Sequence, residues 1–351
     1  MTTKIALFGA GGKMGYRLAS NLKRSPFEVR HVERRPAGQE LLKTGLGLQC
    51  VPADEALDGA EVVILAVPDT AIGKVSSSIE RELKPGTMMM ALDAAAPFAG
   101  HLPKRDDLAY FVTHPCHPPV FNDETDLEAK RDYFGGIAAK QHIVCSLMQG
   151  PESAYVLGEQ IARLIWAPVM RSHRVTLEQM ALLEPGLSET VCATLLVVMR
   201  DAMDEVVKRG VPPQAARDFL LGHINVLASV IFKEREGLFS DACNKAIEFG
   251  TPALMRPDWK RVFEPDEIAR KYPPAEPGAL LCEPLKAAGA GSLTRPRFDG
   301  ATLTVAGHFH MFIWSRRWSS RSWLRMYSRM TRSSRPTVDT KYPRAQKLCP
   351  A

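Results

Sequence analysis

The sequence predicts an α/β fold, with a doubly wound parallel sheet over residues 1–148 and an all-α domain over residues 149–270. Three observations predict it. An apolar strand runs directly into a glycine-rich turn and a helix at the start of the chain. Apolar segments of strand length then alternate with amphipathic helical segments to about residue 145. Beyond the segment at 149–151, the apolar period becomes helical.

The first strand, Lys4–Phe8, leads into a turn that contains four glycines. Strand, glycine turn and helix in this order are typical of a Rossmann dinucleotide site, where the backbone approaches a pyrophosphate at the helix N-terminus. The spacing departs from the usual one, since either Ala10, Gly12 and Gly15 or Gly9, Gly12 and Gly15 can be aligned with it. The predicted cofactor-binding residues of this turn are Ala10, Gly11, Gly12, Lys13, Met14 and Gly15.

A second strand over residues 29–32 leads into Glu33, close to the offset at which an acid binds the ribose hydroxyls of NAD. Arg34 and Arg35 follow directly and would attract the 2′-phosphate of NADP. Because the acid stands where the hydroxyls should lie, the sequence favours NAD.

Further strands are predicted at 60–67, 87–92 and 108–112, and a last strand at 142–147. The first of these is a continuous apolar run, of the kind buried in a parallel sheet. It ends at Pro68 and Asp69, which are therefore predicted at the carboxyl edge of the sheet, where cofactors bind.

Helices are predicted beyond the sheet, first over residues 153–165. A long apolar segment follows at 176–209, interrupted by Pro185-Gly186, where a helix should begin or kink. Another apolar helix covers 213–232, and a short helical set lies around 239–268. A helix that is apolar on so many sides should be buried, often in a subunit interface, so a homodimer is expected.

Composition is that of an ordinary soluble protein, with 45% hydrophobic and 24% charged residues among 351. No signal segment or apolar run of membrane-spanning length is evident, and the seven scattered cysteines indicate reduced thiols in the cytoplasm. From Pro273 onward there are 13 Lys and Arg against 4 acids, so the net charge of +6 originates in the tail. The segment 271–351, rich in Trp, Arg and Ser, is interpreted as disordered or as a translated frameshift rather than as a basic aromatic arm that binds nucleic acid.

Side chains with candidate chemistry follow the strand at 108–112 and lie in the long helical segment. His114 and His117 are three residues apart in a Pro-rich loop, and neutral imidazole is a common metal ligand, although a rigid turn would also use such residues. Glu184 lies in an apolar stretch, where a carboxylate is costly unless it is paired, protonated or bound to a metal. Glu189 and His223 are further candidates. The structural alternative for Glu189 is a stabilising charge near the start of a helix, and for His223 it is a hydrogen-bonded core residue.

The chain resembles the D-apionate oxidoisomerase family, which is related to the β-hydroxyacid dehydrogenases and carries a domain similar to the C-terminal domain of phosphogluconate dehydrogenases. The resemblance covers about Thr3 to Ala269. It depends on four segments, namely Phe8–Tyr16, Thr113–Pro119, Met170–Val175 and Leu183–Thr190.

The resemblance implies NAD-dependent oxidation and α-ketol isomerisation of D-apionate to 3-oxo-isoapionate. It also implies a divalent metal, with zinc as the first expectation, held by His114 and Glu184. His117, Glu189 or His223 would then act as base or as a supporting group. Two alternatives stay open, a metal-independent β-hydroxyacid dehydrogenase on another sugar acid and a non-catalytic nucleotide-binding protein. The expected partner is a small sugar acid, without nucleic acid or membrane.

Overall fold

The computed structural model describes residues 2–270, so the predicted tail at 271–351 lies outside the described residues. The strands are β1 (Lys4–Phe8), β2 (Glu28–Val32), β3 (Val62–Leu65), β4 (Met88–Ala91), β5 (Ala109–Pro115), β6 (Gln141–Gln149) and β7 (Val169–Arg174). The α-helices are α1 (Lys13–Leu22), α2 (Pro36–Leu46), α3 (Ala53–Leu57), α4 (Asp69–Ile79), α5 (Ala95–Phe98), α6 (Leu127–Arg131), α7 (Glu152–Ile165), α8 (Leu177–Ala181), α9 (Thr194–Lys208), α10 (Pro213–Ile231), α11 (Asp241–Leu254) and α12 (Pro265–Arg270). A π-helix covers Leu182–Ala193, and 3₁₀-helices cover Glu80–Glu82 and Trp259–Phe263.

The seven strands form one sheet in the order β2-β1-β3-β4-β5-β6-β7. Strands β1 to β5 are parallel, as the doubly wound pattern predicts, but β6 runs antiparallel to β5. The predicted doubly wound, mainly parallel sheet is therefore confirmed, with one antiparallel pairing at its far edge that the sequence did not predict. The connection from β5 to β6 contains only the short helix α6, whereas α7 returns the chain so that β7 lies parallel to β6.

The strand predicted at 142–147 is present as β6, but it is not the last strand, because β7 extends the sheet to Arg174. Four of the six residues in β7 are exposed and polar or basic side chains predominate, so an apolar pattern cannot reveal it. Helix α7 packs against β5 and β6, so sheet and covering helix both continue past residue 148. The division of the chain into a cofactor domain and a helical domain at that residue stays a prediction.

Alternate side chains of the strands enter two apolar layers, one on each face of the sheet. Ile5 and Leu7 of β1 pack with α1 and α7, whereas Ala6 and Phe8 pack on the other face with α3 and α4. This two-sided burial explains why the strands are continuous apolar runs. Each fully buried Leu or Ile contributes about 2 kcal/mol to the free energy of unfolding.

Residues Leu177–Lys208 form one continuous helix made of α8, the π-helix and α9. Thr176 begins it through a capping box with Gln179. Pro185 has no N–H, and the chain passes through it in the wider π-helical geometry. The helix therefore does not begin at Pro185-Gly186, and the interruption that the sequence predicts there is a change of helix type.

Helices α9 and α10 leave most of their apolar side chains exposed in the single chain, since α9 buries no residue and α10 buries only Ala216. The expectation that this segment is buried is therefore wrong within one chain. We call these side chains the apolar arm. Its members are Leu196, Val197, Val198, Met199, Val206, Phe219, Leu221, Val226 and Ile231.

By length and composition, Leu177–Lys208 is also a candidate membrane span, with a mean hydropathy of 1.5 over its best window. The expectation that the chain has no apolar run of this length is thus wrong. One such helix is weak evidence for a membrane, because a helix of a soluble protein passes the same test.

Candidate active site

The glycine turn has the tight geometry that a pyrophosphate site needs. Gly9 adopts a φ of +75°, and the N–H of Gly12 donates to its carbonyl at 2.9 Å. A Cβ on Gly15 would lie 2.0 Å from the same carbonyl oxygen, so no other residue fits there. Of the two possible alignments, Gly9, Gly12 and Gly15 are the three that build the turn.

A cleft of about 1140 Å³ opens beside this turn. The predicted cofactor residues Gly12, Lys13, Met14, Glu33, Pro68 and Asp69 line it. Ala10, Gly11 and Gly15 are buried beneath the turn and support its backbone. Because α1 begins at Lys13 with its first N–H groups unpaired within the helix, its N-terminus suits a pyrophosphate.

Glu33 at the end of β2 is 8% exposed and has its own partners. Its carboxylate accepts from the N–H of Gly11 at 3.0 Å and pairs with Arg35 at 3.1 Å. Burial alone would raise the pKa of Glu33, but the hydrogen bonds and charge of Arg35 and the N–H of Gly11 outweigh it and lower the pKa. Glu33 is thus an ionised acid at the position where an adenine ribose would bind.

At the other end of the cleft, Asp93, His114 and Glu184 present ligand atoms that lie within 4.8 Å of one another. We call these three residues the cleft triad. Asp93 follows β4, His114 lies in β5, and Glu184 lies in the π-helix. The sheet edge and the long helix therefore both contribute to it, and they bring His114 and Glu184 close together.

His114 is oriented as metal-binding histidines usually are. Its Nδ1 lies 2.8 Å from the carbonyl oxygen of Pro115, a distance that suits donation from Nδ1 and leaves the lone pair on Nε2. This Nε2 faces Glu184 Oε1 at 3.7 Å, which is too long for a hydrogen bond. Burial lowers the pKa of His114, and the charge of Asp93 offsets this only in part, so the imidazole is neutral.

Glu184 is 9% exposed, and its Oε2 has no hydrogen-bond partner although it is buried. Burial, reinforced by the carboxylates of Asp93, Glu189 and Asp69, raises its pKa to about 9. A buried carboxyl oxygen without a partner, beside a neutral imidazole and a second carboxylate, is a donor set that fits a divalent cation.

Two more acids face this region of the cleft. Burial, followed by the charges of Asp93 and Glu189, raises the pKa of Asp69 to about 6. Glu189 lines the cleft together with Glu184. Four carboxyl groups therefore gather in this part of the cleft, those of Asp69, Asp93, Glu184 and Glu189, and such a group favours a cation.

His117 lies next to the cleft triad, with its ring centroid 5.8 Å from that of His114. Its Nδ1 lies 2.9 Å from the carbonyl oxygen of Phe134, and its φ of +61° is uncommon for a residue with a side chain. His223 is not brought to the cleft by this chain. It is exposed on α10, where its ring stacks on Phe219 at 4.0 Å.

Sequence reasoning missed Asp93. The available signal was an acid two residues after the apolar strand at 88–91, at the same edge of the sheet where Asp69 follows the strand before it. Lys140 and Lys233 are both exposed and do not line the cleft.

Two family models match the chain. That of the phosphogluconate dehydrogenase (decarboxylating) C-terminal domain covers residues 122–273, and that of the coenzyme F420-dependent NADP oxidoreductases covers residues 4–91. The second match includes the glycine turn and Glu33, and the first includes Glu184 and the helices beyond it.

Whole-length relatives match as well. A D-apionate oxidoisomerase of Rhizobium rhizogenes is 78% identical over 76% of this chain and 97% of the relative. One of Blautia hydrogenotrophica is 42% identical over 76% of this chain and 94% of the relative. A solved structure from Cupriavidus necator, described as a semialdehyde dehydrogenase NAD-binding protein in complex with calcium and NAD, is 67% identical, with a TM-score of 0.76 over 77% of this chain and 98% of that chain.

Proposed function

Since the chain belongs to the D-apionate oxidoisomerase family, we propose that it catalyses the NAD-dependent oxidation and α-ketol isomerisation of D-apionate to 3-oxo-isoapionate. It is an NAD-dependent oxidoreductase with a Rossmann-like cofactor domain. The observation that carries the proposal is that the NAD turn and the cleft triad open into one cleft.

The two half-reactions balance without any reagent beyond NAD⁺. The carbinol hydrogen at C2 leaves as hydride to the nicotinamide, which is the chemistry that NAD supplies, and the hydroxyl proton passes to a base. A hydroxymethyl group then migrates with its bonding electrons from C3 to the C2 carbonyl carbon. The C3 hydroxyl loses its proton and becomes the ketone, and the former C2 carbonyl oxygen gains one.

Asp93, His114 and Glu184 would hold a divalent cation in this cleft. When bound, such an ion polarises a carbonyl and lowers the pKa of a neighbouring hydroxyl, which is what an α-ketol shift needs. Zinc is our first candidate because the set includes a neutral imidazole. The two carboxylates also suit calcium, the ion named for the solved relative, so zinc and calcium are the pair to compare.

His117 and Glu189 are the two candidate bases. If Nδ1 of His117 donates to the carbonyl of Phe134, its Nε2 is left as an acceptor for a hydroxyl proton. Glu189 lines the cleft beside Glu184 and is the alternative. His223 would require a second chain to bring it near a cleft.

The apolar arm supports a homodimer. Exposed apolar side chains grouped on two packed helices mark an interaction site, and a twofold axis would bury the same side chains of both copies. With that surface covered by a second copy, the protein is expected in the cytoplasm.

The deciding experiment measures NADH formation with D-apionate for the enzyme as purified, after chelation, and after return of zinc, calcium, magnesium or manganese. Activity that is lost and then restored by one ion supports the proposal, and the carbon skeleton of the product, followed by NMR, tests the rearrangement. A product that keeps the skeleton of D-apionate indicates a simple β-hydroxyacid dehydrogenase. NAD binding without turnover of any sugar acid indicates the non-catalytic alternative.

A further inference from the structure

A second group of side chains shares a sheet face with His114. His114 of β5 pairs with Val144 of β6, which pairs with His173 of β7. Paired residues of neighbouring strands point to the same face, so His173 lies about 10 Å from His114, two strand spacings away. His142 and Arg171 are the next pair along the same two strands and face the same side.

The direction of the strands places this group at the cofactor edge. His114 lies near the carboxyl end of β5, and the N–H of the exposed Cys116 just beyond it donates to the carbonyl of His142 at 2.9 Å. Because β6 runs antiparallel to β5, it begins at this edge, and β7 begins there too. His142 and Arg171 therefore lie at the same edge and on the same face as the cleft triad.

These side chains form a basic cluster, and within residues 2–270 none of them forms an ion pair with an acid. The rings of His142 and His173 are 5.9 Å apart, and His142 Nδ1 is buried without a hydrogen-bond partner. Burial, then the charges of Arg171 and His173, lower the pKa of His142. Arg171 is exposed and belongs to none of the ion pairs found within residues 2–270.

Arg174 on the same strand shows the opposite arrangement. Its side chain lies on the other face, where it forms a two-point ion pair with Glu152 and lies over the ring of Tyr155. One arginine of β7 is thus paired within the protein, whereas Arg171 lies on the face of the sheet that carries His114.

We propose that Arg171, His173 and His142 form an anion subsite that binds the carboxylate of the sugar acid while its hydroxyl carbons lie at the cleft triad. This inference rests on the proposed function and adds a recognition site to it. A substrate carboxylate is stabilised by positive charge, which Arg171 and the two histidines can supply on this face of the sheet. A guanidinium binds a carboxylate through two parallel hydrogen bonds, which also fixes the orientation of the substrate.

The test compares Arg171→Gln, Arg171→Lys and the matched control Arg174→Gln. Binding to the NADH complex is measured by calorimetry with D-apionate and with D-apiose, the sugar that lacks the carboxylate. Arg171→Gln should weaken D-apionate binding about tenfold or more, leave D-apiose and NADH binding unchanged, and raise KM much more than it lowers kcat. Arg171→Lys should restore part of the loss, and Arg174→Gln should behave as wild type.

Unchanged D-apionate binding in Arg171→Gln, or an equal loss for D-apiose, would overturn the subsite. D-glycerate, a smaller 2-hydroxy acid, is the second probe and separates the two proposals. If wild type does not turn over D-apionate, the proposed function fails. In that case the subsite is supported if Arg171→Gln binds D-glycerate more weakly than Arg174→Gln does. It is overturned if the two variants bind D-glycerate equally, or if wild type does not bind D-glycerate at all.

Discussion

Burial of Glu184 makes the stability of the protein depend on pH, and the same carboxyl group is a proposed metal ligand. Its pKa of about 9 in the metal-free protein, against an ordinary 4.5, means that the folded state holds a proton that the unfolded state releases between those values. The free energy of unfolding should therefore fall as pH rises through that window, by up to about 1.4 kcal/mol per pH unit.

Glu184→Gln stays neutral and should remove this part of the slope while abolishing metal binding. Urea denaturation with chelator present, at about pH 6 and about pH 8, measures the change in the free energy of unfolding between these two pH values. Glu178→Gln, an exposed acid on the same helix, is the control. Equal slopes for wild type and Glu184→Gln would contradict the buried, protonated state of this acid. Because a cation must displace the proton, metal affinity of wild type should rise with pH.

Glu33 should decide which dinucleotide is used. Glu33→Gln removes the charge that repels a 2′-phosphate and releases Arg35 from its ion pair. We expect the ratio of kcat/KM for NADP to that for NAD to rise about tenfold, or about 1.4 kcal/mol. Steady-state kinetics with both cofactors measure the ratio, with Glu28→Gln on the same strand as control. A ratio that does not move would show that Glu33 has no part in cofactor choice.

The contrast between Glu184 and Asp93 shows how much of the site a sequence reveals. Glu184 is conspicuous because a carboxylate in an apolar helical stretch has no inexpensive local explanation. Asp93 follows a short strand and resembles any acid in a loop. It joins the cleft triad only through the pairing of β4 with β5, a contact that local patterns do not encode.

The π-helix positions Glu184, so its geometry should matter more to metal binding than to stability. Pro185→Ala restores an N–H that can donate in the α-helical register, which would turn the residues around Glu184 relative to Asp93 and His114. Metal affinity should fall about tenfold or more, with NAD affinity and helix content unchanged. Calorimetry and circular dichroism measure these quantities. Pro213→Ala, at the start of α10, is the matched control, and full metal affinity in Pro185→Ala would contradict this role.

The apolar arm should determine the oligomeric state. Leu196→Glu or Phe219→Glu places a charge in the surface that a second copy would bury. Size-exclusion chromatography with light scattering should give twice the chain mass for wild type and a single chain mass for either variant. Leu238→Glu, an exposed leucine outside α9 and α10, should remain dimeric. A wild type that is monomeric at every concentration would remove the homodimer proposal.

Elements with a strong apolar period were predictable, whereas β7 was not. Strands β1, β3 and β4 are buried on both faces and read as continuous apolar runs. Strand β7 is an exposed edge strand held by its pairing with β6. The antiparallel direction of β6 escaped prediction for a related reason, because direction depends on the path of a long connection.

For the whole molecule, residues 2–270 should be sufficient for activity. The relative from Rhizobium rhizogenes is matched over 97% of its own length by 76% of this chain. A chain that ends after Arg270 should keep NAD affinity and kcat within about twofold of the full chain, less than 0.5 kcal/mol. Parallel kinetics and thermal melting of both proteins measure this, and a shortened chain that fails to bind NAD would show that residues 271–351 contribute to the fold.

The π-helix has a consequence for how relatives are compared. A π-helical turn holds more residues than an α-helical turn, so it is equivalent to an inserted residue. Removing one residue between 182 and 193 would favour α-helical geometry there and change the direction in which Glu184 points relative to the sheet. A relative in which Glu184 no longer points into the cleft should therefore show a one-column gap in this segment of an alignment, even where the glutamate itself is retained. That gap, more than the presence of the acid, should separate members that bind the metal from members that do not.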